Sequence, residues 1–191
     1  MTEVGRPWRV FLSHTGDLRS KPSGRSWITA AEEAVKRFRH APIDMKYFTA
    51  DDRPPAKVCA ELVGLADLYV GIIGHSYGSP VRDDPTLSYT ELEFETATAT
   101  GKRRLVFFVA DDTSEVADTR QLAFRARLRD SGLTIAHVPD PGGLDASLTQ
   151  AIAQLMLDDA LHTPAAVSTP PRRPRQLPAL TAGFVDRAED G

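Results

Sequence analysis

Short apolar runs alternate along the chain with stretches whose apolar residues recur three and four positions apart. The runs predict strands at 8–13, 43–48, 67–74, 104–110 and 134–138. The spaced stretches predict helices at 26–38, 54–66, 88–100, 121–129 and 144–161. The third strand is apolar on both faces, which is typical of a central parallel strand, and a polar loop follows it at 75–87. This order predicts an α/β fold, namely a flavodoxin-like three-layer sandwich with a five-stranded parallel sheet in the order 2-1-3-4-5.

A change of composition near residue 163 predicts the end of the folded domain. Residues 164–178 hold five of the fourteen prolines and three arginines, which is typical of an extended linker. We therefore predict a domain at 1–162 and a linker at 163–182. Residues 183–191 contain the apolar pair Phe184-Val185 followed by charges, and we expect them to begin a downstream module or to dock on a partner.

Composition narrows the class of protein. The chain has 191 residues, of which 41% are hydrophobic and 26% charged, and its net charge of −3 argues against a surface built for nucleic acid. Cys59 is the single cysteine, which excludes a disulfide framework and a cysteine-based zinc site. No apolar run approaches the roughly 20 residues of a membrane span, and the N-terminus lacks the pattern of a signal peptide. We expect a cytoplasmic protein with no membrane partner and no bound metal.

Polar loops follow the first three predicted strands. Ser13 and His14 come after the first strand, residues 49–52 after the second, and residues 74–79 after the third. Ligands of open α/β sheets bind outside the carboxyl ends of the strands, so we expect a pocket there. The chain has no P-loop, no G-x-G-x-x-G after its first strand and no G-x-S-x-G elbow. The alternative for the loop histidines is a purely structural hydrogen-bonding role.

The helix after the polar loop carries three glutamates, and Ser88 is its predicted N-cap. At about 100° per residue, the stripe predicted to meet the sheet consists of Tyr89, Leu92, Thr96 and Ala99. Glu91 and Glu95 then fall on the water side, whereas Glu93 falls on the shoulder of the stripe. A carboxylate in that position is costly unless a partner or a reaction uses it. Glu93 is therefore a candidate functional residue, and the alternative is a structural ion pair with Arg82 or Lys102.

Three segments in this order resemble a TIR (Toll/interleukin-1 receptor) domain, and more closely a divergent bacterial TIR-like subgroup. They are Arg9-Val-Phe-Leu-Ser-His14, the segment 66–78 (ADLYVGIIGHSYG) and the segment 88–97 (SYTELEFETA). The terminal run Phe184-Val-Asp-Arg-Ala-Glu189 is similar to the opening of a STAND-type (NB-ARC-like) nucleotide-binding module. The resemblance implies that such a module follows the linker.

The TIR resemblance implies hydrolysis of NAD at the bond between nicotinamide and ribose. Enzymatic members use a glutamate with an aromatic residue four positions before it and an alanine four positions after it. Glu93, Tyr89 and Ala97 match this pattern, although the aromatic residue is usually tryptophan. Glu91 is the second choice if the register shifts by two residues.

The resemblance also implies roles for the residues around that glutamate. The implied substrate contacts are Ser13, His14, Tyr77 and Tyr89. The implied gating and self-assembly loop follows the second strand and includes Asp51, Asp52 and Arg53. NAD enters as the substrate, so no cofactor is expected, and the expected protein partners are further copies of the chain and the downstream module.

Two functions of different classes follow from these expectations. The first is an NAD glycohydrolase effector of bacterial defence or signalling, active when several copies assemble. The second is a non-catalytic TIR-like interaction module. A weaker third possibility is a nucleoside-processing enzyme of similar topology.

Overall fold

A five-stranded parallel sheet forms the centre of the molecule. The computed structural model describes residues 6–45, 53–110 and 118–162. The strands are β1 (Arg9–His14), β2 (Ala41–Ile43), β3 (Leu68–Ile73), β4 (Pro80–Val81), β5 (Asp84–Ser88), β6 (Arg103–Val109) and β7 (Ile135–Val138). The α-helices are α1 (Trp27–Arg37), α2 (Pro55–Leu65), α3 (Tyr89–Ala99), α4 (Thr119–Asp130) and α5 (Pro141–His162), and a 3₁₀ turn spans Gly16–Arg19.

The order of strands across the sheet is β2-β1-β3-β6-β7, with all neighbours parallel. Counted over these five strands alone, the order is 2-1-3-4-5, which confirms the predicted flavodoxin-like fold. The five predicted helices are all present, and each end lies within three residues of its predicted position. No helix in the described ranges is long and apolar enough to cross a membrane.

Helices cover both faces of the sheet and create the three layers. Side chains alternate along β1, so that Val10 and Leu12 pack with α1 and α5, whereas Phe11 packs with α2 and α3. A third group of buried side chains, around Phe108 and Phe124, joins β6 to α4. The C-terminal ends of β1 and β3, where the strand order reverses, therefore open between two helical layers.

The second strand differs from its prediction. The sequence indicated 43–48, but the strand is β2 (Ala41–Ile43), and residues 46–48 lie outside the described ranges. Pairing begins early because the amide N–H of Ala41 donates to the Trp8 carbonyl at 2.8 Å. Pro42 is tolerated because β2 is an edge strand, where a missing N–H need not break a ladder.

The predicted polar loop at 75–87 contains a short antiparallel hairpin. Strands β4 and β5 pair around Arg82 and Asp83, which form the connection between them. Most of the hairpin is exposed, so it shows no apolar alternation by which a strand is recognised. The hairpin delivers the chain to Ser88, whose hydroxyl caps α3 as predicted by accepting from the Glu91 amide at 3.3 Å.

A carboxylate between two arginines fastens α1 to α5. Arg37 Nη1 lies 2.7 Å from Asp145 Oδ1, and Arg25 Nη2 lies 2.6 Å from Asp145 Oδ2. The hydrogen bond from Arg37, followed by that from Arg25, holds the pKa of Asp145 well below its ordinary value. Because the folded carboxyl binds its proton more weakly than the unfolded one, this contribution to stability exists above about pH 4 and is lost at lower pH.

We expect Asp145→Ala to lower the free energy of unfolding by about 1–2 kcal/mol at pH 7, the range for charged hydrogen bonds that are partly exposed to solvent. The measurement is urea denaturation of both proteins between pH 3 and pH 7. Asp158→Ala on the same helix removes an exposed contact with Gln154 and serves as the control. A loss that persists unchanged at pH 3 would contradict the electrostatic explanation.

Candidate functional site

The candidate site lies at the C-terminal end of β1, beside the point where the strand order reverses. Strand β1 contributes Ser13 and His14, and Asp44 follows the end of β2. Helix α3 runs across this edge and contributes Glu93 from its second turn. The sheet topology thus brings together residues that are far apart in the sequence.

Glu93 is buried, with 4% of its surface exposed, and both of its carboxylate oxygens have partners within the chain. The Ser13 hydroxyl donates to Oε2 at 2.5 Å. The Cys59 thiol of α2 donates to Oε1 at 3.4 Å. The predicted alternative, an ion pair with Arg82 or Lys102, is wrong, because Lys102 Nζ donates to the Gly64 carbonyl and the partners of Glu93 are uncharged.

Burial raises the pKa of Glu93 to about 7, while the hydrogen bonds from Ser13 and Cys59 act in the opposite direction. Desolvation exceeds hydrogen bonding here because neither donor carries a charge. Glu93 therefore changes its charge near neutral pH, which an exposed glutamate does not do.

Two acidic groups near Glu93, the Cys59 thiol and the Tyr69 phenol, remain uncharged at neutral pH. Burial, and then the nearby Glu93 carboxylate, raise the pKa of both the Cys59 thiol and the Tyr69 phenol. The Tyr69 ring is fully buried against Phe11 and Phe94. A Cβ at Gly71 would lie 3.1 Å from the Tyr69 ring, so a larger residue there would require this ring to move by a few tenths of an ångström.

The opposite side of the site is a charged cluster around His14. Its Nδ1–H donates to the Thr15 carbonyl at 2.8 Å, and its Nε2 lies 3.0 Å from Asp44 Oδ2. Arg19 forms an ion pair with Asp44, and its Nη2 lies 3.2 Å from His14 Nε2. Burial lowers the pKa of His14, whereas the hydrogen bond to the Thr15 carbonyl acts in the opposite direction.

A cavity of about 220 Å³ separates this cluster from Glu93. Its lining consists of Leu12, His14, Gly16, Arg19, Asp44, Met45 and Glu93. The lining combines the apolar residues Leu12 and Met45 with several polar and charged groups, as small-molecule sites do. Among the described residues, no group of three or more His, Cys, Asp or Glu side chains is arranged to hold a metal ion.

Glu91, the second choice for the catalytic residue, belongs to a different cluster. It is buried rather than on the water side as predicted, because the Tyr77 hydroxyl donates to its Oε2 at 2.5 Å and Arg127 of α4 forms an ion pair with it. Two residues of helix separate Glu91 from Glu93 by about 200°, so the two carboxylates point to opposite sides of α3. Glu91 and Tyr77 are not among the residues that line the cavity.

The sheet-facing side of α3 also differs from its prediction. The residues predicted to face the sheet were Tyr89, Leu92, Thr96 and Ala99, and the prediction is wrong, because the buried positions are Thr90, Glu91, Glu93 and Ala97. Hydrogen-bonded carboxylates occupy positions that an apolar stripe would otherwise fill. Tyr89 is half-buried and does not line the cavity.

The predicted gating loop lies mostly outside the described ranges. Asp51 and Asp52 fall there, so their roles stay predictions. Arg53 is described, and its exposed guanidinium forms an ion pair with Glu61 of α2. Arg53 is not part of the cavity lining.

Cys59, Asp44 and Arg19 were not predicted as site residues. Cys59 occupies an apolar position of α2, and its sequence context gives no sign of the contact with Glu93. Asp44 and Arg19 do follow the ends of β2 and β1, respectively. Correct placement of the end of β2 at Ile43 would have brought Asp44 to the same sheet edge as His14.

The fold and the site together define a flavodoxin-like α/β protein with a buried, titratable glutamate beside a small cavity at the reversal of strand order. The chain belongs to the family described as a domain of unknown function (DUF4062), whose family model matches residues 9–153. A comparison with curated proteins finds no match. The matched residues include β1, α3 and the whole cavity lining.

We expect Glu93→Gln to stabilise the fold, and to do so more at high pH than at low pH. The raised pKa means that the unfolded carboxyl ionises first, so the native glutamate costs stability progressively from about pH 4.5 to pH 7. The advantage of the glutamine variant in free energy of unfolding should grow by about 2–3 kcal/mol between pH 5 and pH 8. Urea denaturation at both pH values measures this change.

Glu95→Gln is the matched control, because Glu95 is exposed two residues further along the same helix. Its free energy of unfolding should follow that of the unmodified chain at both pH values. An equal effect of Glu93→Gln at pH 5 and pH 8 would show that Glu93 does not titrate in the folded interior.

Proposed function

We propose that this chain is a TIR-like effector domain that hydrolyses NAD at the nicotinamide–ribose bond when several copies assemble. The observation that carries the proposal is the Glu93 carboxylate, which is buried beside a cavity at the strand ends and is in contact with Ser13. His14, the other residue that the resemblance implies after β1, lines the same cavity. Glu93 and His14, which come from two distant segments, line the same cavity and support the resemblance, whereas Ser13 is fully buried and is not among the lining residues.

One carboxylate is sufficient for the proposed reaction. When the bond between the ribose carbon and the nicotinamide nitrogen breaks, its electron pair goes to the nitrogen, and the cationic ring departs as neutral nicotinamide. Positive charge develops on the sugar, as in glycoside hydrolysis, and water then adds to that carbon and loses a proton. Glu93 in its ionised form would stabilise the developing charge, and it needs no proton to activate the leaving group.

The contacts of Glu93 suit this role. Ser13 and Cys59 fix the carboxylate in one orientation before any ligand enters. Preorganised groups of this kind need not reorganise during the reaction, and in a site with little water their charges act strongly. The Ser13 hydroxyl would thus position Glu93 in addition to any contact with substrate.

The same contacts also favour a second candidate, a non-catalytic TIR-like interaction module. Both oxygens of Glu93 already accept hydrogen bonds from within the chain, as those of a structural carboxylate do. Tyr89, at the position of the family's usual tryptophan, lies away from the cavity lining. In this alternative, α3 and its neighbours would only support a surface that recruits other domains.

The biological setting is part of the proposal. We infer a cytoplasmic role in bacterial defence or signalling, in which copies of the domain are gathered by a STAND-type module. The linker at 163–182 and the start of that module at 183–191 lie outside the described ranges and stay predictions.

We expect Glu93→Gln to reduce the release of nicotinamide from NAD by at least about 100-fold, because removing one preorganised electrostatic group costs roughly 10²–10³ in rate. The assay uses the full chain, alone and fused to an oligomerising scaffold, and Glu95→Gln is the matched control. Undiminished release by the glutamine variant would contradict the role of Glu93. An assembled sample with no release at all would favour the interaction module.

The release of nicotinamide should also increase with pH through about 7. The pKa of Glu93 is raised to about 7, and only the ionised carboxylate stabilises a cation, so kcat/KM should fall about tenfold for each pH unit below that value. The measurement is kcat/KM for NAD between pH 5.5 and pH 8.5. A flat profile over this range would exclude Glu93 as the group whose ionisation drives the reaction.

A further inference from the structure

We propose that the cavity binds only the cationic pyridinium end of its substrate and leaves any phosphate groups outside. A phosphate-free N-substituted pyridinium cation would then be a sufficient ligand. This inference rests on the proposed function for the identity of the ring, and it adds to that function a rule of substrate recognition.

The size of the cavity supports recognition of a fragment. Its volume is about 220 Å³. Pockets that enclose a whole drug-sized molecule measure roughly 300–1,000 Å³, and a dinucleotide is larger than most such molecules. The cavity that the described residues outline is therefore smaller than a whole dinucleotide and matches one end of it.

The charges around the cavity favour a cation. Arg19 is the positively charged residue of the lining, and it is engaged by Asp44 and lies 3.7 Å from Glu32. Glu32 also pairs with Lys36 at 3.0 Å, so these two cations face two carboxylates. The Glu93 carboxylate adds a negative charge that no cation among its contacts balances.

Phosphate finds no matching group in this arrangement. To bind in the cavity, a phosphate group would have to replace Asp44 as the ion-pair partner of Arg19. It would also lie close to the Glu93 carboxylate, and like charges in a confined site repel strongly. A pyridinium ring carries the charge that is complementary to Glu93.

Binding of a cation should be coupled to the protonation of Glu93. Among the described residues, the groups that face this carboxylate are Ser13 and His14 of β1, Cys59 of α2 and Tyr69 of β3. Burial raises the pKa of the Cys59 thiol and of the Tyr69 phenol and lowers that of His14. A cation in the cavity favours the ionised carboxylate and lowers its pKa. At pH 6.5, part of the Glu93 population is protonated, so a bound cation should release a fraction of a proton.

Gly16 offers a steric test that leaves these polar contacts intact. It lines the cavity, and a Cβ at this position would meet no atom within 4 Å. Gly16→Leu should therefore add a side chain at the edge of the cavity, and obstruct entry to it, at little cost to the fold. Gly64→Leu is the matched control, because Gly64 on α2 has the same free space and lies outside the lining.

The experiment is a calorimetric titration of the full chain at pH 6.5 with two phosphate-free probes. They are the cation 1-methylnicotinamide and neutral nicotinamide. We expect the cation to bind at least about tenfold more tightly, as one favourable charge interaction of a few ångströms in a partly buried site allows. Titrations in PIPES and Bis-Tris, which differ in ionisation enthalpy, report the proton release.

Three variants test the assignment to this cavity. Glu93→Gln should abolish both the preference for the cation and the proton release, and Glu95→Gln should leave both unchanged. Gly16→Leu should abolish binding of the cation, whereas Gly64→Leu should retain it. Inorganic pyrophosphate should not compete with the cation, and competition by it would overturn the proposal.

The results separate this inference from the proposed function. If NAD is cleaved but 1-methylnicotinamide does not bind, the inference fails and the proposed function stands. If the cation binds with proton release but no NAD is cleaved by an assembled sample, the recognition rule stands and the hydrolase proposal fails. If the chain neither binds the cation nor cleaves NAD, both are wrong.

Discussion

The burial of one carboxylate between β1, α2 and α3 is the constraint on which the site depends. On burial, Glu93 exchanges its hydration for hydrogen bonds from two uncharged donors, the Ser13 hydroxyl and the Cys59 thiol. These bonds do not fully offset the lost hydration of the carboxylate, so the pKa of Glu93 is raised. The arrangement requires the sheet to place Ser13 at the end of β1, and Gly71 leaves room for the Tyr69 ring below. The fold thus supports a group that weakens it, which is common where a side chain serves a function.

Helix α3 carries two buried carboxylates, Glu91 and Glu93, whose partners differ in charge. Glu91 receives a charged partner, Arg127, together with the Tyr77 hydroxyl, and this pairing joins α3 to α4 and to the segment before the hairpin. Among the described residues, the hydrogen-bond partners of Glu93 are uncharged, and Glu93 lies against a cavity. An ion pair such as that of Glu91 suits a structural carboxylate, because an opposite charge offsets its lost hydration. The second arrangement leaves a charge available for something that enters the cavity.

The sequence was sufficient for the fold because each central element carries a strong signal. Strands β1, β3 and β6 are continuous apolar runs, and α1 spaces its apolar residues regularly. The edge strand β2 and the exposed hairpin were misplaced or missed, because neither buries enough side chains to leave a pattern. Glu93 was identified from its position and the resemblance, although the predicted face of α3 was wrong. Its partners Cys59, Asp44 and Arg19 depend on contacts between distant segments, which no local pattern records.

The environment of Glu93 differs from that of an apolar residue at the same position. Position 93 packs beside Ala97, whose side chain lies among Phe11, Val63 and Tyr69, so an apolar side chain there would gain burial without the desolvation of a charge. Glu93 instead has a pKa of about 7, so that its protonated and ionised forms are both populated near neutral pH. A charge brought close to Glu93 would change the proportions of these two forms. The cavity between Glu93 and the Asp44–Arg19 pair provides an approach for such a charge. The physical properties of this one side chain therefore favour a ligand-binding role over a role in packing, whichever reaction the bound ligand undergoes.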